Sequence, residues 1–253
     1  MPTYLYCLLA ASSDARPPPG VPPSLTGVGG DRVRALEAGG MIAWVETIDS
    51  NVLPRTAETA RAHDRVVRAA MELGDTPLPA RSGQLFADDA VCAEELRRRE
   101  REIARGLREI EGCVEMIVHV AIDARRGAGR AGESAPRMVP FARPGTPGGT
   151  APGRGRAYLE ELRDRLQLEH SVQSESATLR TAIRTAVEGL ARDESFSIRP
   201  GTTPRLTISH LILRTDIARY RTVLADARVT RGLEIVQVAG PYPPYSFAGL
   251  SNG

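Results

Sequence analysis

The hydrophobic positions of this chain fall into short alternating runs separated by longer stretches of helical spacing. Residues 4–10 are a continuous apolar run and read as a buried strand. A loop rich in proline and glycine follows (Pro17, Pro18, Pro19, Gly20, Pro22, Pro23, Gly27, Gly29, Gly30). Residues 40–48 form a second strand, with Met41, Ala43 and Val45 on one face and Ile42, Trp44 and Ile48 on the other. Apolar residues on both faces predict a central strand covered by helices. Pro54 opens a helix, since a missing N–H costs least there. Ala60, His63, Val67, Ala70 and Met71 recur at helical spacing until Gly74 ends the helix. Residues 76–86 are short, extended and broken by proline and glycine. Asp88 and Asp89 then cap a helix whose apolar stripe is Val91, Leu96, Ile103, Leu107 and Ile110.

Residues 113–122 are the clearest strand, with Val114, Met116, Val118, Val120 and Ile122 alternating onto one face. A glycine-, proline- and arginine-rich stretch over residues 124–156, with Glu133 its only acid, has almost nothing to bury and reads as a disordered linker. Residues 158–192 are helical, with one stripe of Leu159, Leu162 and Leu166 and another of Leu179, Ile183, Val187 and Leu190; the polar residues 170–176 between them mark a kink or break. Strands follow at 195–199 and 204–213, around a Pro200-Gly201 turn. A helix capped by Thr215 or Asp216 turns Ile217, Tyr220, Leu224 and Ala227 inward, and residues 232–239 form the last strand. From residue 113 the order is strand, helix, strand, strand, helix, strand, the ferredoxin-like split βαβ order. The expected fold class is therefore α+β in two domains: a small α+β unit over residues 1–110 and a ferredoxin-like βαββαβ unit over 111–253. Strand 232–238 should then pair with strand 113–122.

Composition narrows the function classes. The 253 residues are 42% hydrophobic and only 4% aromatic, so the core is built from Val, Leu, Ile and Ala. A formal net charge of +2 is too small to argue for nucleic acid or membrane. Lysine is absent and every Lys/Arg position is arginine, spread through helices and linker, a pattern that GC-rich coding explains better than selection for phosphate or carboxylate binding. Cys7, Cys92 and Cys113 make neither a C-x-x-C nor a zinc spacing, and read as reduced thiols of a cytoplasmic protein. The N-terminus has no basic region followed by a long apolar run, and no stretch is long and apolar enough for a membrane span.

Reactive constellations are weak. Gly27-Val28-Gly29-Gly30 has the glycines of a phosphate loop, but no strand precedes it directly and no G-K-[ST] follows, so a turn is expected. His63, His119, His170 and His210 have no second ligand at helical spacing, which leaves no metal pair. No G-x-S-x-G elbow occurs. The acidic and basic residues interleaved over 94–111 read as a solvated helix face laced with ion pairs. Neither a catalytic site, a cofactor nor a metal is expected. The basic linker leaves an alternative open: a regulatory ligand- or nucleic-acid-binding module built on the ferredoxin-like domain.

The most specific segment is the last: Gly240, Pro241, Tyr242, Pro243, Pro244, Tyr245, Ser246 and Phe247. Three prolines in four positions exclude helix and central strand. Two tyrosines and a phenylalanine carry apolar surface that a solvated tail does not need. The segment is expected to be extended, pressed onto the body of the protein, and structural.

This segment resembles the terminal G-P-W-P-P-Y-S-F signature of the gas vesicle protein GvpL/GvpF family, with Tyr242 in place of the tryptophan. The resemblance extends along most of the chain. Tyr4-Leu5-Tyr6 is similar to the opening strand, residues 40–45 to G-x-x-A-x-V, and residues 78–86 to L-P-x-R-F-G-x-x-F, with Ser82 in place of the phenylalanine. Gly112 to Glu115 matches G-x-x-E, and Gly155 to Leu159 the G-x-x-Y-L helix start. The resemblance implies an accessory protein of gas vesicle assembly, located in the cytoplasm with the vesicle. Its implied partners are the hydrophobic shell-forming subunit and other accessory gas vesicle proteins, not nucleic acid or membrane. The alternative regulatory module would instead show salt-dependent DNA binding.

Overall fold

The computed structural model describes residues 1–11, 20–50, 52–123, 154–201, 203–230 and 233–249. The expected linker over 124–156 lies outside the described residues except for its last three, which open a helix. The chain is a mixed helix and sheet protein with two antiparallel sheets.

The first sheet contains β1 (Thr3–Ala10), β2 (Arg34–Ala38), β3 (Met41–Thr47), β4 (Leu78–Pro79) and β5 (Leu85–Phe86). Its order is β2-β3-β1-β4, with β5 also paired to β1. β3 is central, as its two-faced pattern predicts: Met41, Ala43 and Val45 enter one core cluster, Ile42, Trp44 and Ile48 another. β2 was not anticipated, because Arg-Ala-Leu-Glu-Ala has helical rather than strand propensity. It is held by register with β3, from Arg34 opposite Val45 to Ala38 opposite Met41. The tight return between the two strands uses Gly39 at φ +62°, open to a residue with no Cβ.

Helix α1 (Ala57–Glu72) begins three residues after Pro54. Thr56, not the proline, caps it, its hydroxyl accepting from Thr59 N–H at 3.1 Å. Asp88 caps α2 (Asp89–Arg98) by accepting from Val91 N–H at 2.9 Å. The single expected helix is split at Arg99, after which α3 runs from Glu100 to Ile110. The break changes the buried face. Val91 is 48% exposed, and Cys92, Ala93 and Leu96 pack inward instead.

The second sheet contains β6 (Cys113–Ala121), β7 (Ala191–Arg199), β8 (Arg205–Leu213) and β9 (Ile235–Tyr242). Its order is β7-β8-β6-β9, and every neighbouring pair is antiparallel. β6 pairs with β9 through Val118–Val238 and His119–Gln237, and reaches Glu115–Tyr242. Helices α4 (Arg154–Ala186) and α5 (Ile217–Thr230) cover one face. Val114, Met116, Val118 and Val120 of β6 pack there with Leu179, Ile183, Val187, Tyr220 and Leu224. α4 is continuous through 170–176, with Ser171, Glu175 and Ser176 buried rather than forming a break. It stops earlier than its expected end at 192, where Gly189 at φ +76° turns the chain into β7. The stripe of Leu159 and Leu166 faces solvent, at 63% and 56% exposure.

Apolar packing joins the two sheets. Cys113 and Leu211 share a cluster with Leu5, Leu78, Leu107 and Ile110. Arg214, just after β8, donates to the carbonyls of Met71 at 3.1 Å and Asp75 at 3.0 Å, satisfying the end of α1.

Candidate functional site

The terminal segment crosses the junction of the two sheets, and its residues are placed from both sides. The last strand lies three residues later than the expected 232–239, so Gly240, Pro241 and Tyr242 belong to β9. Because β9 is an edge strand, Pro241 removes no interior ladder bond. Gly240 sits at φ +118°, and an added Cβ would lie 2.8 Å from the Glu115 carbonyl and 2.9 Å from Met116 Sδ. Only glycine fits there. The Gly240–Pro241 bond is cis.

Arg68 of α1 lies over the Tyr242 ring, 4.7 Å from its centroid. The same guanidinium is paired with Asp64 at 2.6 Å. Pro243 and Pro244 are buried. Tyr245 keeps 38% of its surface exposed, yet its hydroxyl is turned inward. Burial first, and then the Asp64 carboxylate beside it, push its ionisation well above the ordinary phenol range. Its ring centroid is 6.4 Å from that of His63. Ser246 donates its N–H at 2.9 Å and its hydroxyl at 2.7 Å to the two oxygens of Glu115 on β6. Phe247 and Ala248 pack onto the cluster shared by the two sheets. One segment of eight residues therefore touches α1, β6 and the inter-sheet core.

The glutamate at the centre of this contact is 2% exposed. A buried carboxylate needs donors, and Ser246 of the terminal segment supplies two to Glu115. Sequence reasoning singled out the segment but not its receptor. The available signal was an acid inside the β6 pattern, between Val114 and Met116.

Two clefts flank Tyr245. One, of about 600 Å³, is lined by His63, Asp64, Arg81, Ser82, Tyr245 and Ser246 among others. The other, of about 440 Å³, has Glu115, Ile117, Ser195, Thr207, Ser209 and Tyr242 in its wall. His63, at 2% exposure, is tied into the first sheet. Its Nδ1 lies 2.9 Å from the Tyr4 hydroxyl, which itself accepts from Gly83 N–H at 2.9 Å. The Tyr4 hydroxyl also lies 3.4 Å from Ser82 Oγ, so its proton has two acceptors within reach. Burial pushes the pKa of His63 down to about 4.

The glycine loop serves a second internal carboxylate. Glu46 of β3 is fully buried and accepts from the N–H groups of Gly29 at 3.1 Å and Asp31 at 2.9 Å. It also accepts from the Tyr6 hydroxyl at 2.5 Å, and Val28 N–H donates to that hydroxyl at 2.7 Å. Successive backbone N–H groups thus form an anion nest around the protein's own carboxylate. A Cβ on Gly27 would lie 2.1 Å from both Glu46 Oε2 and Tyr6 Oη, which explains the glycine.

Two further histidines have side-chain partners within the second sheet and its helices. His210 is fully buried between the Tyr220 hydroxyl at 2.7 Å and Glu194 at 3.4 Å. His119 contacts the Thr207 hydroxyl at 3.1 Å. Among the described residues no group of three or more His, Cys, Asp or Glu could hold a metal ion, and no helix is long and apolar enough to cross a membrane.

Comparison with known proteins gives this geometry a context. The family model described as gas vesicle synthesis protein GvpL/GvpF matches residues 2–249. Gas vesicle protein F of Streptomyces sp. (strain CB03234) is 26% identical over 252 residues, covering 98% of this chain and 99% of that protein. Gas vesicle protein L of the same strain is 27% identical over 268 residues, covering 98% and 93%. The crystal structure of the gas vesicle protein GvpF from Anabaena sp. PCC7120 superposes with a TM-score of 0.72 at 16% identity, covering 99% of this chain and 97% of that one. The GvpF structure from Microcystis aeruginosa gives 0.71 at 16% identity, covering 98% and 99%.

Proposed function

This chain belongs to the gas vesicle synthesis protein GvpL/GvpF family and so has an accessory role in gas vesicles, and from that premise we propose that it works by binding rather than by catalysis. In this reading it holds the hydrophobic shell-forming subunit, together with other accessory gas vesicle proteins, until the subunit is built into the vesicle wall. A subunit that ends in an apolar-lined wall carries apolar surface and strand edges that aggregate when free. A folded partner that covers them keeps the subunit available and needs no cofactor. The place of action is the cytoplasm, at the growing vesicle.

The architecture in this proposal is a small α+β unit over residues 1–110 and a ferredoxin-like unit over 111–253. The β7-β8-β6-β9 order, with α4 and α5 on one face, supports the second unit. Its first strand, β6, pairs with β8 and β9. The terminal residues Gly240, Pro241, Tyr242, Pro243, Pro244, Tyr245, Ser246 and Phe247 act as a structural clamp between the units, not as a reactive site.

The observation that carries the reading is the family match over residues 2–249, which includes the terminal segment that joins α1 to β6. The test is co-expression with the shell-forming subunit. Full-length chain is expected to carry the subunit into the soluble fraction, and truncation after Ala239 to lose it only in proportion to lost folding. A truncated chain that stays folded yet releases the subunit would make the segment a binding site instead.

A further inference from the structure

We propose that the helix-free face of the second sheet is a docking surface for an extended, carboxylate-bearing segment of a partner protein, received at one end by Arg199 and Arg205. This goes beyond the assembly role and holds whichever protein supplies the segment.

The face is built by register. The odd-numbered residues of β6, β7 and β8 oppose the side that α4 and α5 cover. Ser195 lies opposite Ser209, and Ser197 opposite Thr207. Thr207 in turn lies opposite His119, and Ser209 opposite Ile117. Ser209 is already covered, its hydroxyl 3.2 Å from that of Ser246, so the open floor is Ser195, Ser197 and Thr207, small hydroxylated side chains on which another backbone can approach closely. At its upper end this floor becomes the cleft of about 440 Å³ walled by Tyr242 and Tyr245.

At its lower end stand two like charges. Arg199 is directly opposite Arg205 on the neighbouring strand, and both are exposed. Like charges directly opposed across an antiparallel ladder are destabilising. Nearby acids balance some arginines elsewhere, as Asp89 does Arg34, Asp64 does Arg68 and Glu194 does Arg180, whereas the ladder places an arginine, not an acid, directly opposite Arg199. Neither Arg199 nor Arg205 has an ion pair or a side-chain hydrogen bond among the described residues. His119 stands in the same field. After burial, the charges of Arg205 and Arg199 are what hold its pKa below the ordinary imidazole value. A carboxylate placed between the two guanidiniums would relieve their repulsion and accept from both, with the Ser197 and Thr207 hydroxyls within the same patch.

A protein carboxylate fits this end better than a nucleic acid. Base recognition on a sheet uses aromatic rings beside the cations. Here Phe196 of β7 is taken by Arg180, whose guanidinium carbon lies 3.8 Å from the ring centroid. The tyrosines of this face stand at the opposite end of the floor, and two arginines are a small electrostatic footprint for a polyanion.

The experiment is an NMR titration of the full chain at low salt, read at the His119 ring and at the Ser197 and Thr207 amides. The probes are a hexaglutamate peptide, inorganic phosphate and a single-stranded oligonucleotide. Hexaglutamate is expected to shift these signals and to raise the His119 pKa. Arg199→Glu should weaken its binding about tenfold, the loss of one good charge pair. The same substitution creates a Glu–Arg pair across the strands, so the melting temperature should hold or rise, which separates lost docking from lost folding. Arg97→Glu, on the exposed face of α2, should leave the affinity unchanged. The proposal is overturned if Arg199→Glu binds hexaglutamate as the parent does, if the perturbed signals lie elsewhere, or if phosphate or the oligonucleotide occupies the site more tightly than the peptide.

Discussion

Replacing Ser246 with alanine tests the clamp at its smallest part. Ser246 supplies a hydroxyl donor at 2.7 Å to Glu115, whose surface is 2% exposed, while its N–H donates at 2.9 Å. Alanine keeps the backbone donor and removes the hydroxyl that reaches Glu115. A hydrogen bond to a charged group contributes about 1.5–3 kcal/mol. A loss of about 2 kcal/mol lowers the melting temperature of a chain this size by roughly 4–8 °C. The assay is thermal and urea unfolding at neutral pH for four proteins: parent, Ser246→Ala, Glu115→Gln and the double variant. If the two side chains act through one another, the double variant is less destabilised than the sum of the singles, with a coupling of about 1 kcal/mol or more. A Ser246→Ala protein within about 0.5 kcal/mol of the parent, or strictly additive singles, refutes the clamp.

Four further outcomes follow from the geometry. Gly27→Ala should cost at least about 2 kcal/mol, measured by urea unfolding, because its Cβ displaces the loop that satisfies buried Glu46. Arg68→Ala should cost about 0.5–1 kcal/mol through the lost contact with the Tyr242 ring, and Tyr242→Ala in that background should add no further cation–ring term. Arg214→Ala should loosen the junction of the two sheets, read as faster hydrogen exchange in the last turn of α1, since Arg214 satisfies the carbonyls of Met71 and Asp75. The depressed pKa of His63, about 4 against 6.5, means the unfolded chain binds the proton more readily. Its contribution is therefore fully present above pH 6.5 and is lost as pH falls towards 4, by an amount on the order of 3 kcal/mol. His63→Gln should flatten that slope in melting temperature between pH 7.5 and 4.5.

The parts of the fold that were legible in the sequence are those where burial writes a period. β3 and β6 show it best: Met41, Ala43 and Val45, and Val114, Met116, Val118 and Val120, fall on the faces their alternation assigns. α5 likewise buries Tyr220, Leu224 and Ala227. What was missed is set by partners distant in sequence. β2 exists because Arg34 to Ala38 pair with β3, against their own propensity. The start of β7 at Ala191 is polar, and becomes strand through its pairing with β8 after Gly189 breaks the helix. The stripe of Leu159 and Leu166 has helical period but no partner element over it, so periodicity alone overstated its burial.

The terminal segment was legible as a packed piece from its prolines and rings, although Tyr245–Phe247 turn into a short 3-10 helix instead of staying extended, and its receptor was not legible. Glu115 and Glu46 each stand as an acid within an apolar strand, and no local rule says which donors will reach them. Those donors lie 131 and 15 residues away, in Ser246 and Asp31. The glycines at 27, 29 and 30 lie in a bend that returns the chain from Thr26 to Arg32. The anion that their neighbourhood holds is the chain's own Glu46.

Co-expression with the shell-forming subunit is the decisive experiment for the proposal that this chain keeps that subunit available for assembly. The subunit should be recovered in the soluble fraction and co-purify with the full chain. The proposal would be contradicted if the subunit aggregates to the same extent with and without the chain, while the chain itself purifies folded and alone.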